Sequence, residues 1–154
     1  MIYLDTETCG LHGPAVLIQY AINDSDVVLF EPFKSSIRET INLIEFFTQE
    51  IVCGFNLTFD WFHICQLYTT LKLLKVGDNK LPIDYINEYA ELEPLARDGP
   101  CIKPKSAFDI MLHARKGPYQ STMDRKDIRI RKVPSDLAMP LAKELDKKIG
   151  RAHV

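Results

Sequence analysis

Two carboxylates stand two residues apart near the start of the chain, in Ile2-Tyr3-Leu4-Asp5-Thr6-Glu7-Thr8. The apolar run Met1–Leu4 reads as a buried strand. On an extended chain residues i and i+2 project from the same face, so Asp5 and Glu7 are expected side by side where a core strand emerges. Like charges at that spacing repel, and ionised oxygens favour a counter-charge. A hard divalent cation, Mg²⁺ or Mn²⁺, would supply it. A bare Asp-x-Glu is usually no more than a polar strand end; a second signal gives this pair more weight.

That signal is Gly54-Phe55-Asn56-Leu57-Thr58-Phe59-Asp60. Ile51-Val52-Cys53 reads as another short buried strand, ended by Gly54 and Asn56. A helical pattern begins at Thr58. Asp60 falls in its first turn, where the helix dipole favours an anion, and offers a third carboxylate to the same strand ends.

Placing these residues takes a sheet. A turn at Gly13-Pro14 leads to a strand over Val16–Ile22, and Asp24-Ser25 turns it into a third strand, Asp26–Phe30, so residues 16–30 read as a hairpin. Ser36 and Glu39 have the spacing of a capping box; Ile37, Ile41, Ile44 and Thr48 then share one helix face. The helix from Thr58 to about Leu74 carries Phe59, Phe62, Leu67, Leu71 and Leu74. Residues 75–104 break the pattern with Gly77, Asp78, Asn79, Gly99, Pro100 and Pro104, and read as an insertion holding a short helix, Tyr85–Ala96. Ser106–Asp109 reads as a strand end, with Asp109 either capping a helix over Ile110–Arg115, the favoured reading, or lying near the site. After a loop from Gly117 to Lys126, Asp127–Val133 alternates: Ile128 and Ile130 face one way, Arg129 and Arg131 the other. Pro134 opens a last helix, Ser135 to about Lys148, with Leu137, Leu141 and Leu145 on one stripe.

The strand-borne Asp-Thr-Glu-Thr followed by Gly10 and Leu11, then a strand and Gly-x-Asn-x-x-x-Asp opening a helix, resembles the DEDD superfamily of 3′–5′ exonucleases. It looks most like the proofreading domain of family A DNA polymerases. The likeness is good over residues 1 to about 75 and loose beyond. It implies an α/β, RNase H-like mixed sheet, its first three strands antiparallel, flanked by helices and incomplete at the C-terminus. It also implies two-metal phosphodiester hydrolysis with Mg²⁺ or Mn²⁺. Asp5 would bind both ions and Glu7 one, with Asp60 helping to hold the second. Asn56 and the Thr6–Thr8 stretch would contact the terminal nucleotide, and Leu11 would wedge against the last base. Apart from the resemblance, the basic residues Arg125, Lys126, Arg129 and Arg131 read equally as a track for phosphates or as a plain solvated face. The implied partners are a single-stranded DNA 3′ end and a polymerase domain downstream. The family's third motif, Tyr-x-x-x-Asp or His-x-x-x-x-Asp, is not found after Asp60. The chain alone is therefore expected to be inactive, a partial exonuclease domain over residues 1–148. The tail Ile149-Gly150-Arg151-Ala152-His153-Val154 matches one reading frame of a sequencing-library adapter and is expected to be non-native.

Composition sets the outer bounds. Apolar residues make up 46% of 154, ordinary for a globular core. No apolar run approaches the ~20 residues of a membrane span, and Asp5 and Glu7 interrupt any signal-peptide pattern. The four cysteines, Cys9, Cys53, Cys65 and Cys101, show no Cys-x-x-Cys spacing. They read as reduced thiols of an intracellular, cytoplasmic protein, and zinc is not expected. Charge is divided along the chain. Residues 1–100 hold 6 Lys/Arg against 15 Asp/Glu, net −9, and residues 101–154 hold 13 against 6, net +7. An acidic, metal-collecting half joined to a basic half suits an enzyme acting on a polyanion. Two other functions fit the same residues: a free-standing DEDD exonuclease acting on small RNAs, and a non-catalytic nucleic-acid-binding relic.

Overall fold

A computed structural model describes residues 1–116, apart from Val76, Asp78, Asp98 and Pro100 and the side chains of Arg115 and Lys116. The expected loop from Gly117, the strand with Arg129 and Arg131, the helix from Ser135 and the 149–154 tail lie outside the described residues.

The N-terminal strand, β1 (Ile2–Thr8), continues through both carboxylates rather than ending before them. Its side chains alternate as a strand must: Ile2, Leu4 and Thr6 are buried, Tyr3, Asp5 and Glu7 half-buried. β2 (Ala15–Ile22) pairs antiparallel with β1, and the short β3 (Val28–Phe30) antiparallel with β2. β4 (Ile51–Gly54) runs parallel to β1, and β5 (Ser106–Asp109) parallel to β4. The order is β3-β2-β1-β4-β5. This is a mixed α/β sheet whose first three strands are antiparallel, as expected.

α1 (Ile37–Thr48) opens with the expected capping box: Glu39 N–H donates to Ser36 Oγ at 3.2 Å and Ser36 N–H to Glu39 Oε2 at 2.8 Å. Its buried face differs from the expected one. Thr40 and Phe47 join Ile37 and Ile44, while Ile41 and Thr48 are half-buried. The Phe47 ring meets Tyr20 of β2 edge-on at 5.2 Å. One core cluster joins Ile2 and Leu4 of β1, Ile18 of β2, Ile44 and Phe47 of α1, and Leu57, Ile64 and Leu67 of α2 (Leu57–Leu73). Full burial of such a side chain contributes roughly 1.5–3 kcal/mol.

From Asp60 to Leu67 every residue of α2 except Phe62, which is exposed, is buried, and α3 (Ile86–Ala96) packs on the helix. Residues 75–104 thus contribute to the core: Tyr89 is fully buried in the main cluster, and the Trp61 indole donates to the Ile102 carbonyl at 2.8 Å. α4 (Ile110–Lys116) follows β5 directly. Where β4 ends, a Cβ on Gly54 would lie 2.9 Å from the Leu4 carbonyl oxygen and 3.0 Å from Leu57 Cδ1. Glycine there lets β1, β4 and α2 approach closely. Among the described residues, no helix is long and apolar enough to cross a membrane.

Candidate active site

Asp5 and Glu7 share the β1 face opposite the core cluster, and β2 supplies what lies between them. Gln19 is the cross-strand partner of Asp5. Its amide Nε2 donates to Glu7 Oε1 at 3.2 Å and to Asp5 Oδ2 at 3.5 Å. The side chain is 1% exposed. One neutral donor therefore gathers two carboxylates. Sequence reasoning missed Gln19, although a lone polar residue in the apolar run Val16–Ile22 was a usable signal.

Asp60 arrives by another route. β4 pairs with β1 only at Ile2 and Tyr3, so the β1 edge beyond is open to other acceptors. The first turn of α2 fills it: Asp60 Oδ1 accepts the Thr6 backbone N–H at 2.9 Å and the Thr6 hydroxyl at 2.7 Å. The Thr6 side chain faces the core, opposite Asp5 and Glu7, so Asp60 reaches the edge of β1 from the helix side. Burial pushes its carboxyl up to about 7; the Thr6 hydroxyl opposes the rise and the negative charge of Asp5 adds to it. The Thr6 side chain thus positions Asp60, a role the sequence did not suggest.

The remaining residues rim these strand ends. The Thr8 hydroxyl donates to the Gly10 carbonyl at 2.6 Å, and Gly10 takes a left-handed φ of 73°. This turn leaves Leu11 68% exposed. Asn56 is left-handed as well, at φ 56° and ψ 44°, a region that Asn tolerates better than most residues. Its side chain is exposed and makes no capping bond. The cap of α2 comes from Asp109, which accepts the Asn56 N–H at 3.1 Å and the Leu57 N–H at 2.9 Å. Asp109 also accepts the Met111 N–H at 2.9 Å, capping α4 as expected. Phe55 is 56% exposed, whereas Phe59 is half-buried, its ring 4.6 Å from that of His63. Among the described residues, no group of three or more His, Cys, Asp or Glu side chains is gathered to hold a metal ion.

No protein-family model, curated protein or solved structure matches this chain.

The chemistry of the site is therefore read from its donors. Carboxylate oxygens are the ligands that Mg²⁺ and Mn²⁺ take. Asp5 and Glu7, side by side on one strand face, fit a hard divalent cation as an anchoring pair. Asp60 stands at the adjoining strand edge, next to the Asp5 charge but directed at Thr6. Arg129 and Arg131 lie outside the described residues.

Proposed function

We propose that this chain carries a metal-dependent 3′–5′ exonuclease centre acting on single-stranded DNA ends, as the proofreading part of a protein that also contains a polymerase domain. One observation carries the reading: Asp5 and Glu7 meet on one strand face around Gln19, with Asp60 at the edge of the same strand. Asp5 and Glu7 would hold Mg²⁺ or Mn²⁺, and Asp60 would assist. Such ions supply hydroxide near neutral pH and offset charge on the leaving oxygen. The chain's own residues do the rest. Thr6 fixes Asp60, Gln19 keeps the first two carboxylates together, and the exposed Leu11 and Phe55 offer apolar surface to a terminal base. The exposed Asn56 side chain is placed in the role of a nucleotide contact, and Arg129 and Arg131 in that of phosphate contacts.

The test is a Mn²⁺ titration of the whole chain followed by electron paramagnetic resonance. Asp5→Ala and Glu7→Ala should each weaken binding at least tenfold, on the order of 1.4 kcal/mol. Wild-type affinity in both variants would overturn the site. Digestion of a 3′-labelled single strand is the companion assay. With no third motif after Asp60, the chain by itself should release label slowly or not at all, and brisk Mg²⁺-dependent release would show that no further carboxylate is needed. A non-catalytic nucleic-acid-binding role is favoured by the amide of Gln19, which already stabilises both carboxylates without a cation. Strand binding with no Mn²⁺ affinity would select that reading.

A further inference from the structure

Away from the carboxylates, Gly99, Cys101 and Ile102 lie against a single stripe of α2. A Cβ on Gly99 would come within 2.8 Å of Thr69 Cγ2. The sulfurs of Cys101 and Cys65 are 3.4 Å apart. The Ile102 carbonyl oxygen takes the Trp61 indole N–H at 2.8 Å and lies 3.5 Å from the Cys65 sulfur and 3.4 Å from the Cys101 sulfur. Trp61, Cys65 and Thr69 are spaced i, i+4 and i+8, one helix face. This strap thus lies against α2 at three successive turns, with two thiols at the middle one. Strap, α2, β5 and α4 enclose a groove of about 560 Å³, lined in part by Phe62, Phe108 and Leu112 and open to both cysteines.

We propose that Cys65 and Cys101 form a redox-active pair that closes to a disulfide on exposure to a small-molecule disulfide and reopens with a thiol. The placement supports this independently of the exonuclease reading. A disulfide needs its sulfurs at about 2.05 Å, so closure from 3.4 Å is a short approach. Cys101 is exposed on the strap and Cys65 is buried in α2. Cys9 and Cys53 stand elsewhere, in the turn after β1 and in β4.

The steps balance as thiol–disulfide exchange. The Cys101 thiolate attacks one sulfur of RS–SR, forming Cys101–S–SR and releasing RS⁻. The Cys65 thiolate then attacks the Cys101 sulfur, forming the protein disulfide and releasing the second RS⁻. The protons lost by the two cysteines go to the two leaving thiolates; the protein pair is oxidised and the reagent reduced. Burial pushes the Cys65 thiol up to about 12, its hydrogen bond with Cys101 adding to the rise. The second step is therefore the slow one near neutral pH and quickens as pH rises. Closure would fasten α2 to the chain entering β5, and so stiffen one wall of the groove.

The whole 154-residue chain would be treated with oxidised glutathione, acid-quenched, alkylated and mapped by mass spectrometry. The expected product is a single intramolecular Cys65–Cys101 bridge, reversed by dithiothreitol, with Cys9 and Cys53 still alkylated. Melting temperature should rise by roughly 5–10 °C on oxidation. Cys65→Ala should instead stop at a glutathione adduct on Cys101, and Cys101→Ser should show neither bridge nor melting shift. Bridges to Cys9 or Cys53 in comparable yield, or a wild-type Cys101 adduct that never closes even at raised pH, would overturn the proposal. The wild-type map decides it even where a variant fails to fold.

Discussion

Asp60 is buried beside another negative charge yet accepts two hydrogen bonds from one residue. Its folded pKa of about 7 lies above the ordinary 3.8. Below pH 3.8 the group is protonated whether the chain is folded or not. Between 3.8 and 7 the folded state binds the extra proton, so stability declines as pH rises and the loss is complete above about 7. Asp60→Asn stays neutral and keeps an oxygen for Thr6. In metal-free buffer it should match the wild type near pH 4 and exceed it at pH 8, by on the order of 2–4 kcal/mol for a shift of this size. Urea unfolding with chelator at several pH values reads this directly, and a difference that did not grow with pH would mean that Asp60 stays ionised throughout. Thr6→Val keeps the shape and removes the 2.7 Å hydroxyl donor. The expected loss is roughly 1–3 kcal/mol, larger at pH 8 than at pH 4 because the ionised carboxylate needs the donor more.

At the scale of elements, most of the architecture was legible because period and capping are local. The hairpin, the Ser36–Glu39 box, the strand over Ile51–Cys53, the long helix from Thr58 with Asp60 in its first turn and the Ser106–Asp109 strand follow from patterns within a few residues. What was not legible depends on register and long-range closure. Nothing local says that Gln19 lies opposite Asp5, that Thr6 meets an aspartate 54 positions on, or that Asp109 closes the start of α2. In residues 75–104 the breakers and the short helix were legible, whereas the packing of Tyr89 and Ile102 against the core around α2 was not. The double role of Asp109 gives the prediction for this scale. Asp109→Ala leaves the amides of Asn56, Leu57 and Met111 without their acceptor, and the cost should be roughly 2–4 kcal/mol. Gly54→Ala, which drives a methyl towards the Leu4 carbonyl, should cost roughly 1–3 kcal/mol. Chemical denaturation measures both. A neutral Asp109→Ala would show that water replaces the carboxylate at no cost and that the β5–α2 connection is weak.

For the molecule as a whole, the charge is divided: net −9 over residues 1–100 and +7 over residues 101–154. On the proposed function, a single strand approaching the Asp5 and Glu7 end would meet repulsion unless cations intervened, so the basic half is the part expected to carry the encounter. Replacing Arg129 and Arg131 together by Ala removes two candidate phosphate contacts. Affinity for single-stranded DNA should fall, and the slope of log affinity against log salt should flatten by about 1.4, since each contact on a single strand contributes about 0.7. Asp5→Ala should behave oppositely in metal-free buffer. It removes a repelling charge without touching a phosphate contact, so affinity rises slightly and the slope stays put. With Mn²⁺ present the advantage should vanish, because the wild type then holds the cation and the variant does not. Fluorescence anisotropy of a labelled single strand across a salt series, with and without Mn²⁺, separates these effects. An unchanged slope in the double Arg variant would remove the basic half from substrate binding. An Asp5→Ala advantage that persists in Mn²⁺ would remove the metal.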